Sequence, residues 1–274
     1  MRCTLAALAA LAAAVLAASS AAAAKPRVAS INLCADQLVL LLADPEQIAT
    51  LSWLAADPEE SLLAAEARRH ALNYGTAEEL LRHAPDVVIA GTYTNDFTRR
   101  LLARLGFAVV ALEPETDVAG IAANLAIVAR AIGQEARGER LIAAMHERRA
   151  HLEATRPAER PAAVVVRPGG FTVGADSLAH ELLELAGVRN VAAEQGLDRW
   201  GSLSAETLVR SRPELIVFTG YRADQPSLAN AALLHPALAR LARSRPTVTV
   251  PTAYWACGLP QSLDSVEMVR QPAP

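Results

Sequence analysis

One fourteen-residue pattern occurs twice in this chain, and it limits the possible folds more than any other feature. Thr76–Ile89 (TAEELLRHAPDVVI) lies over Ser204–Val217 (SAETLVRSRPELIV) at a constant offset of 128 positions, and Tyr93 falls on Tyr221 at the same offset. Each copy reads as a hydroxyl-capped helix, a Pro-acid stop and a buried apolar strand. Any helix–Pro–strand unit shares those types, but not the register of so many positions. A period this long is not that of a solenoid; it marks two copies of one α/β lobe.

The surrounding pattern agrees. Before the midpoint, apolar runs at Arg27–Ile31, Gln47–Leu51, Val87–Ala90 and Ala108–Leu112 alternate with helical stretches such as Asp36–Ala43, Phe97–Leu105 and Asp117–Ile132. After it, Ala162–Val166, Val188–Val191, Leu215–Phe218 and Thr247–Val250 restart the series. Strands alternating with helices indicate βαβ units. The expected fold is therefore α/β, with two Rossmann-like lobes of mainly parallel sheet. Between them Gln134–Thr155 reads as one long amphipathic helix, with Leu141, Met145 and Leu152 on one stripe and Gly133 at its start. At 1.5 Å per residue it spans roughly 30 Å, about the width of a small domain. The expected organisation is a leader over 1–24, lobes over 25–133 and 157–274, and a connecting helix over 134–156. A single helical connection leaves a cleft between the lobes. Parallel sheets place ligands beyond the carboxyl ends of their strands, so both lobes should aim those ends at the cleft.

The first residues read as a processing signal: Arg2, then the apolar run Leu5–Ala18, too short to span a bilayer, then Ala22-Ala23-Ala24 for cleavage. Cys3 precedes that run and is no lipoprotein anchor. An exported, periplasmic chain is expected. Net charge is −3, with Lys and Arg scattered, which excludes a nucleic-acid footprint. Cys34 and Cys257 remain after processing. In strand-end loops facing the cleft they could bridge, touch a ligand or be small buried thiols, and a bridge needs Cα atoms within about 7 Å.

Aromatic placement is the sharpest clue to chemistry. Trp53, Tyr74, Tyr93, Trp200, Tyr221, Tyr254 and Trp255 all fall in expected loops, most just past a strand. Large aromatics usually bury themselves in cores; a set kept for loops suggests a wall that grips a sizeable ligand. Arg167, Arg199 or Arg222 could meet carboxylate or phosphate groups. Asn32 stands just past the first strand. Enzyme motifs fail: His146 and His151 are spaced i, i+5, one too many for H-E-x-x-H, and no nucleophile-elbow serine exists. The other histidines lie on or beside helices, so neither a catalytic constellation nor a multi-histidine metal site is expected.

Ser30-Ile31-Asn32-Leu33-Cys34-Ala35-Asp36, Gly75–Leu81 running into Pro85–Ile89, Leu105-Gly106-Phe107, the long helix and Tyr254–Gly258 together carry a resemblance over essentially all of residues 25–274. The chain resembles the periplasmic substrate-binding proteins of the vitamin B12 / iron-siderophore class, the helical-backbone type serving ABC importers. That resemblance implies capture of a metal chelate (corrinoid such as cobalamin, ferric siderophore or haem) and delivery to a permease and its ATPase at the inner membrane. Asn32, Cys34, Trp53, Tyr74, Tyr93, Arg167, Trp200, Tyr221, Trp255 and Cys257 are the expected ligand residues. Glu78 and Glu206, equivalent in the repeat, are the lobe-surface acids implied to dock onto permease arginines; as first-turn helix acids they are also favoured by the macrodipole. A monomer without a cofactor of its own is expected. The rival readings are a free-metal carrier using Cys34 and Cys257, and an exported α/β enzyme. The stiff helical connector implies a small closure on binding.

Overall fold

A computed structural model describes residues 24–220 and 236–272. The expected leader, but for Ala24, and Tyr221 and Arg222 lie outside them. The first sheet holds β1 (Val28–Ser30), β2 (Ile48–Ser52), β3 (Leu72–Asn73), β4 (Val87–Gly91) and β5 (Ala108–Leu112). All are parallel, in the order β3-β2-β1-β4-β5. With them go α1 (Leu33–Leu42), α2 (Ala64–Ala67), α3 (Ala77–His83), α4 (Asp96–Arg104) and α5 (Val118–Ala131), and the long helix α6 (Glu135–Ala154) follows. The second parallel sheet has the order β11-β10-β6-β8, from β6 (Ala162–Val166), β8 (Arg189–Asn190), β10 (Leu215–Phe218) and β11 (Thr247–Thr249). An antiparallel ribbon pairs β7 (Phe171–Val173) with β9 (Trp200–Ser202). The other described helices are α7 (Leu178–Ala186), α8 (Val191–Glu194), α9 (Ala205–Arg210), α10 (Pro236–Ser244), α11 (Thr252–Trp255) and α12 (Ser265–Arg270). None of the described helices is long and apolar enough to cross a membrane.

The α/β class and the two mainly parallel sheets match the sequence-based expectation, and the repeat extends to backbone detail. The strand order β2-β1-β4-β5 of the first sheet recurs as β8-β6-β10-β11 in the second. Ala84 and Arg212, 128 positions apart, both turn through the left-handed region, at φ 45° and 47°. The acid two residues on does the same work in each copy. Asp86 accepts the Arg27 N–H at 2.7 Å and Glu214 accepts the Ala162 N–H at 3.1 Å, each tying the start of one strand to its neighbour.

The long helix is pinned at both ends. Arg137 in its first turn donates to the carbonyls of Leu42 (2.7 Å) and Ala43 (2.8 Å), where α1 ends. Arg270 donates to the carbonyls of Leu152 (2.7 Å) and Leu185 (2.8 Å), near its other end. Met145 and Leu152 are buried, and one apolar cluster runs from Leu38 and Ile89 through them to Leu182 and Val217. The helix is thus part of a shared core rather than a bare spacer. It is not the sole covalent connection that the sequence suggested. A disulfide joins Cys34, at the start of α1, to Cys257, past α11, with Cα atoms 5.1 Å apart and 223 positions between them.

Two groups in this frame have testable energetics. Gly138 lets α6 approach α5 so closely that a Cβ there would stand 2.6 Å from that of Ala129. Alanine is the better helix former by about 1 kcal/mol, but overpacking costs ~1–3 kcal/mol; Gly138→Ala should lower the denaturation midpoint, and a stabilised variant would contradict the close contact. Asp36, fully buried in α1, accepts the Ser52 N–H at 2.9 Å and the Ser52 hydroxyl, clamping the end of β2. Burial pushes its carboxyl up from 3.8 to about 7, against the opposing hydrogen bonds of Ser30 and Ser52. Between those values the folded chain keeps a proton that the unfolded chain has released. Asp36 therefore subtracts stability as pH rises through that window, by up to ~1.4 kcal/mol per unit. Denaturant melts from pH 4.5 to 7.5 should show a shallower loss in Asp36→Asn than in the parent; equal slopes would refute the buried neutral acid.

Candidate functional site

The carboxyl ends of both sheets face a common cavity of about 680 Å³. From the first sheet come Asn32 past β1, Gly91–Tyr93 at and past the end of β4, and Glu113 and Glu115 past β5. From the second come Arg167 past β6, Gly220 past β10, and Phe171 and Trp200 from the ribbon, while Trp255 and Ala256 close one side. The strand-end rule applied to the sequence therefore brings Asn32, Cys34, Tyr93, Arg167, Trp200 and Trp255 together.

Each is held by local chemistry. Asn32 caps α1: its side-chain oxygen accepts the N–H groups of Cys34 (3.0 Å) and Ala35 (3.2 Å). That leaves the amide nitrogen, which lies over Gly91; a Cβ on Gly91 would sit 3.0 Å from it. Tyr93 is 79% exposed and Trp200 70%, unusual for large aromatics in a folded chain. Phe171 packs beside Trp200, ring centroids 6.5 Å apart and tilted by 52°. Trp255 is half-buried, its indole N–H donating to the Ser265 hydroxyl at 2.9 Å, so it offers a fixed face. Cys34 lines the cavity through its disulfide, whereas Cys257 is buried behind it.

The charged groups span the cleft. Arg199 pairs with Asp176 at 2.8 Å, which holds its guanidinium more firmly protonated, and the Tyr93 phenol of the first lobe adds to this from across the gap. Arg167 is half-buried; burial pushes it down while Glu60, on the loop after β2, opposes that. Glu115 is half-buried too, and burial pushes its carboxyl up against hydrogen bonds from the Asn124 side chain and the Gly258 backbone.

Trp53 and Tyr74 do not line the cavity. They stack on each other, centroids 6.2 Å apart at 30°, beyond the ends of β2 and β3 on the same edge of the sheet. Glu79 accepts the Tyr74 N–H at 2.9 Å and so ties this aromatic to the capping box of α3. Glu78 and Glu206 stand exposed in the first turns of α3 and α9, Glu206 paired with Arg210. The sequence reading passed over Phe171, Glu113, Glu115, Asn124 and Asp176. Glu113 and Glu115 directly follow a strand and Phe171 follows a Gly-Gly break in a strand-end loop, so the same rule reaches them; Asn124 and Asp176 carry no such signal. Among the described residues no three His, Cys, Asp or Glu side chains converge as metal ligands. Cys34 and Cys257, with both sulfurs in one bond, offer no thiolates to a free ion.

Comparison with known proteins places this geometry. A cobalamin-binding protein of Halobacterium salinarum is 24% identical over 257 residues, covering 90% of this chain; the chain spans 65% of that relative's length. The periplasmic heme-binding protein RhuT from Roseiflexus sp. RS-1 shares the fold with a TM-score of 0.74 at 19% identity, over 89% of this chain and 97% of that one. The periplasmic vitamin B12 binding protein BtuF of Vibrio cholerae does so at 0.65 and 18%, over 90% and 96%. The periplasmic binding protein family model matches residues 28–242. With that match over most of its length, and a cleft at the carboxyl ends of two repeated sheets, the chain belongs to the periplasmic binding protein family.

Proposed function

We propose that this protein is the exported solute-binding component of an ABC importer, and that it captures a metal-chelate nutrient between its lobes: a corrinoid, a ferric siderophore or haem. The observation that carries this reading is the pair of exposed aromatics, Tyr93 and Trp200, standing in the cleft from opposite lobes, with Phe171 beside Trp200 and Arg167 in the same lining. Flat faces of this kind bury a rigid macrocycle or chelate at small entropic cost. The names of relatives support the class: cobalamin for the Halobacterium protein, heme for RhuT and vitamin B12 for BtuF. Cys34, Asn32 and Trp255 form the fixed wall, whereas Trp53 and Tyr74 stack on each other away from the cavity. Glu78 and Glu206 dock onto basic residues of the permease, one from each lobe, with the ATPase behind it; the protein works as a periplasmic monomer once its leader is removed. The bare-metal reading is disfavoured by the disulfide, and the enzyme reading rests on no observation.

Intrinsic tryptophan fluorescence titrated with cyanocobalamin, hemin and ferric hydroxamates tests the class. At least one should quench with a Kd of micromolar order or tighter, and Trp200→Ala should weaken it by ~1–3 kcal/mol, roughly fivefold to a hundredfold. Quenching by none, or an unchanged affinity in both Trp200→Ala and Tyr93→Ala, would reject this site. Separately, Glu78→Arg with Glu206→Arg should abolish uptake while leaving ligand affinity unaltered; uptake at the parent rate would remove these acids from the docking face.

A further inference from the structure

Among the described residues, the charged groups of the cleft lining that form no ion pair are segregated by lobe. Past β5 the first lobe presents Glu113 and Glu115. Glu113 is exposed and accepts the Thr92 hydroxyl at 3.1 Å. Glu115 is half-buried beside Asn124 and the Gly258 backbone. The second lobe presents Arg167, which forms no ion pair with a described carboxylate; Glu60 acts on it only at longer range. Among the described residues, the remaining charged pair in the lining, Asp176 and Arg199, neutralises itself. The cleft thus carries an acceptor-rich acidic wall on one lobe and a cation on the other.

We propose, resting on the chelate-capture reading above, that the ligand is amphoteric at its periphery: N–H donor or cationic groups face Glu113 and Glu115, and a single carboxylate or phosphate faces Arg167. The physical reason is desolvation. Closing the cleft over a carboxylate without giving it a donor is costly, and placing a second anion against it costs more. A polyanionic chelate meets like charge on the first lobe. A flat macrocycle with carboxylates but no peripheral donors satisfies Arg167 and leaves Glu113, whose one donor is the Thr92 hydroxyl, undercompensated. A chelate ringed with primary amides or amines and carrying one anionic arm satisfies both walls at once, and in only one orientation. Glu113, Glu115 and Arg167 are then the residues that decide specificity, while the aromatics supply affinity.

The test is a fluorescence titration with four probes: cyanocobalamin, bearing amides and one phosphodiester; dicyanocobinamide, bearing amides without the phosphate; hemin; and ferric citrate. The parent protein should bind the first tightest. Arg167→Gln should weaken cyanocobalamin about tenfold or more while leaving dicyanocobinamide nearly unchanged. Glu113→Lys, at an exposed position that leaves folding intact, should weaken both corrinoids and strengthen hemin and ferric citrate. If hemin or ferric citrate binds the parent as tightly as cyanocobalamin, or if Glu113→Lys moves all four in the same direction, the amphoteric assignment is wrong although chelate capture stands. If no chelate binds, the chelate reading itself fails and takes this one with it.

Discussion

At Gly138 the long helix lies against Val118–Ala131 with no room for a Cβ, and the geometry of the cleft depends on that contact. The two helices follow one another in the chain, and their buried faces belong to one apolar cluster that joins the core of the first sheet to that of the second. Because protein interiors are close-packed, such a joint resists bending far more than an extended linker would. Arg137 and Arg270 fix the helix at its two ends by hydrogen bonds to carbonyls of neighbouring elements. The Cys34–Cys257 bond adds a second covalent tie, on the wall of the cleft itself. The long helix and this bond both tie one lobe to the other.

What the ties hold apart is a surface that a stable monomer would ordinarily bury. Tyr93 and Trp200 stand mostly in solvent, one on the turn just past β4 and the other on an antiparallel ribbon. The electrostatics point the same way, since Arg199 is already satisfied by Asp176, whereas Arg167 is only half-buried and stays open to an incoming anion.

Much of this was legible in the residues. The register of Thr76–Ile89 over Ser204–Val217 anticipates the doubled sheet, and the matching left-handed turns at Ala84 and Arg212 show why: the acid after each proline ties two strands together. The long helix starts one residue later than its pattern suggests, with Gln134 buried against Gln47 at 2.5 Å. Other features escaped because they depend on tertiary pairing. Leu72–Asn73 is a strand only because Leu51 and Ser52 lie beside it, and Trp200, expected in a loop, is a strand residue only because Val173 pairs with it. Trp53 and Tyr74 obey the strand-end rule yet miss the cavity, since it sits over β1, β4 and β5 rather than β2 and β3. A period or a motif tells which residues reach the edge of a sheet; which part of that edge faces the other lobe is set by packing.

The most direct measurement is a crystal structure of the protein carrying its chelate. The account requires the chelate between Tyr93 and Trp200, in reach of Arg167, with the two sheets displaced only slightly and the Cys34–Cys257 bond intact. A chelate bound on another face, or lobes swung widely about the long helix, would contradict it.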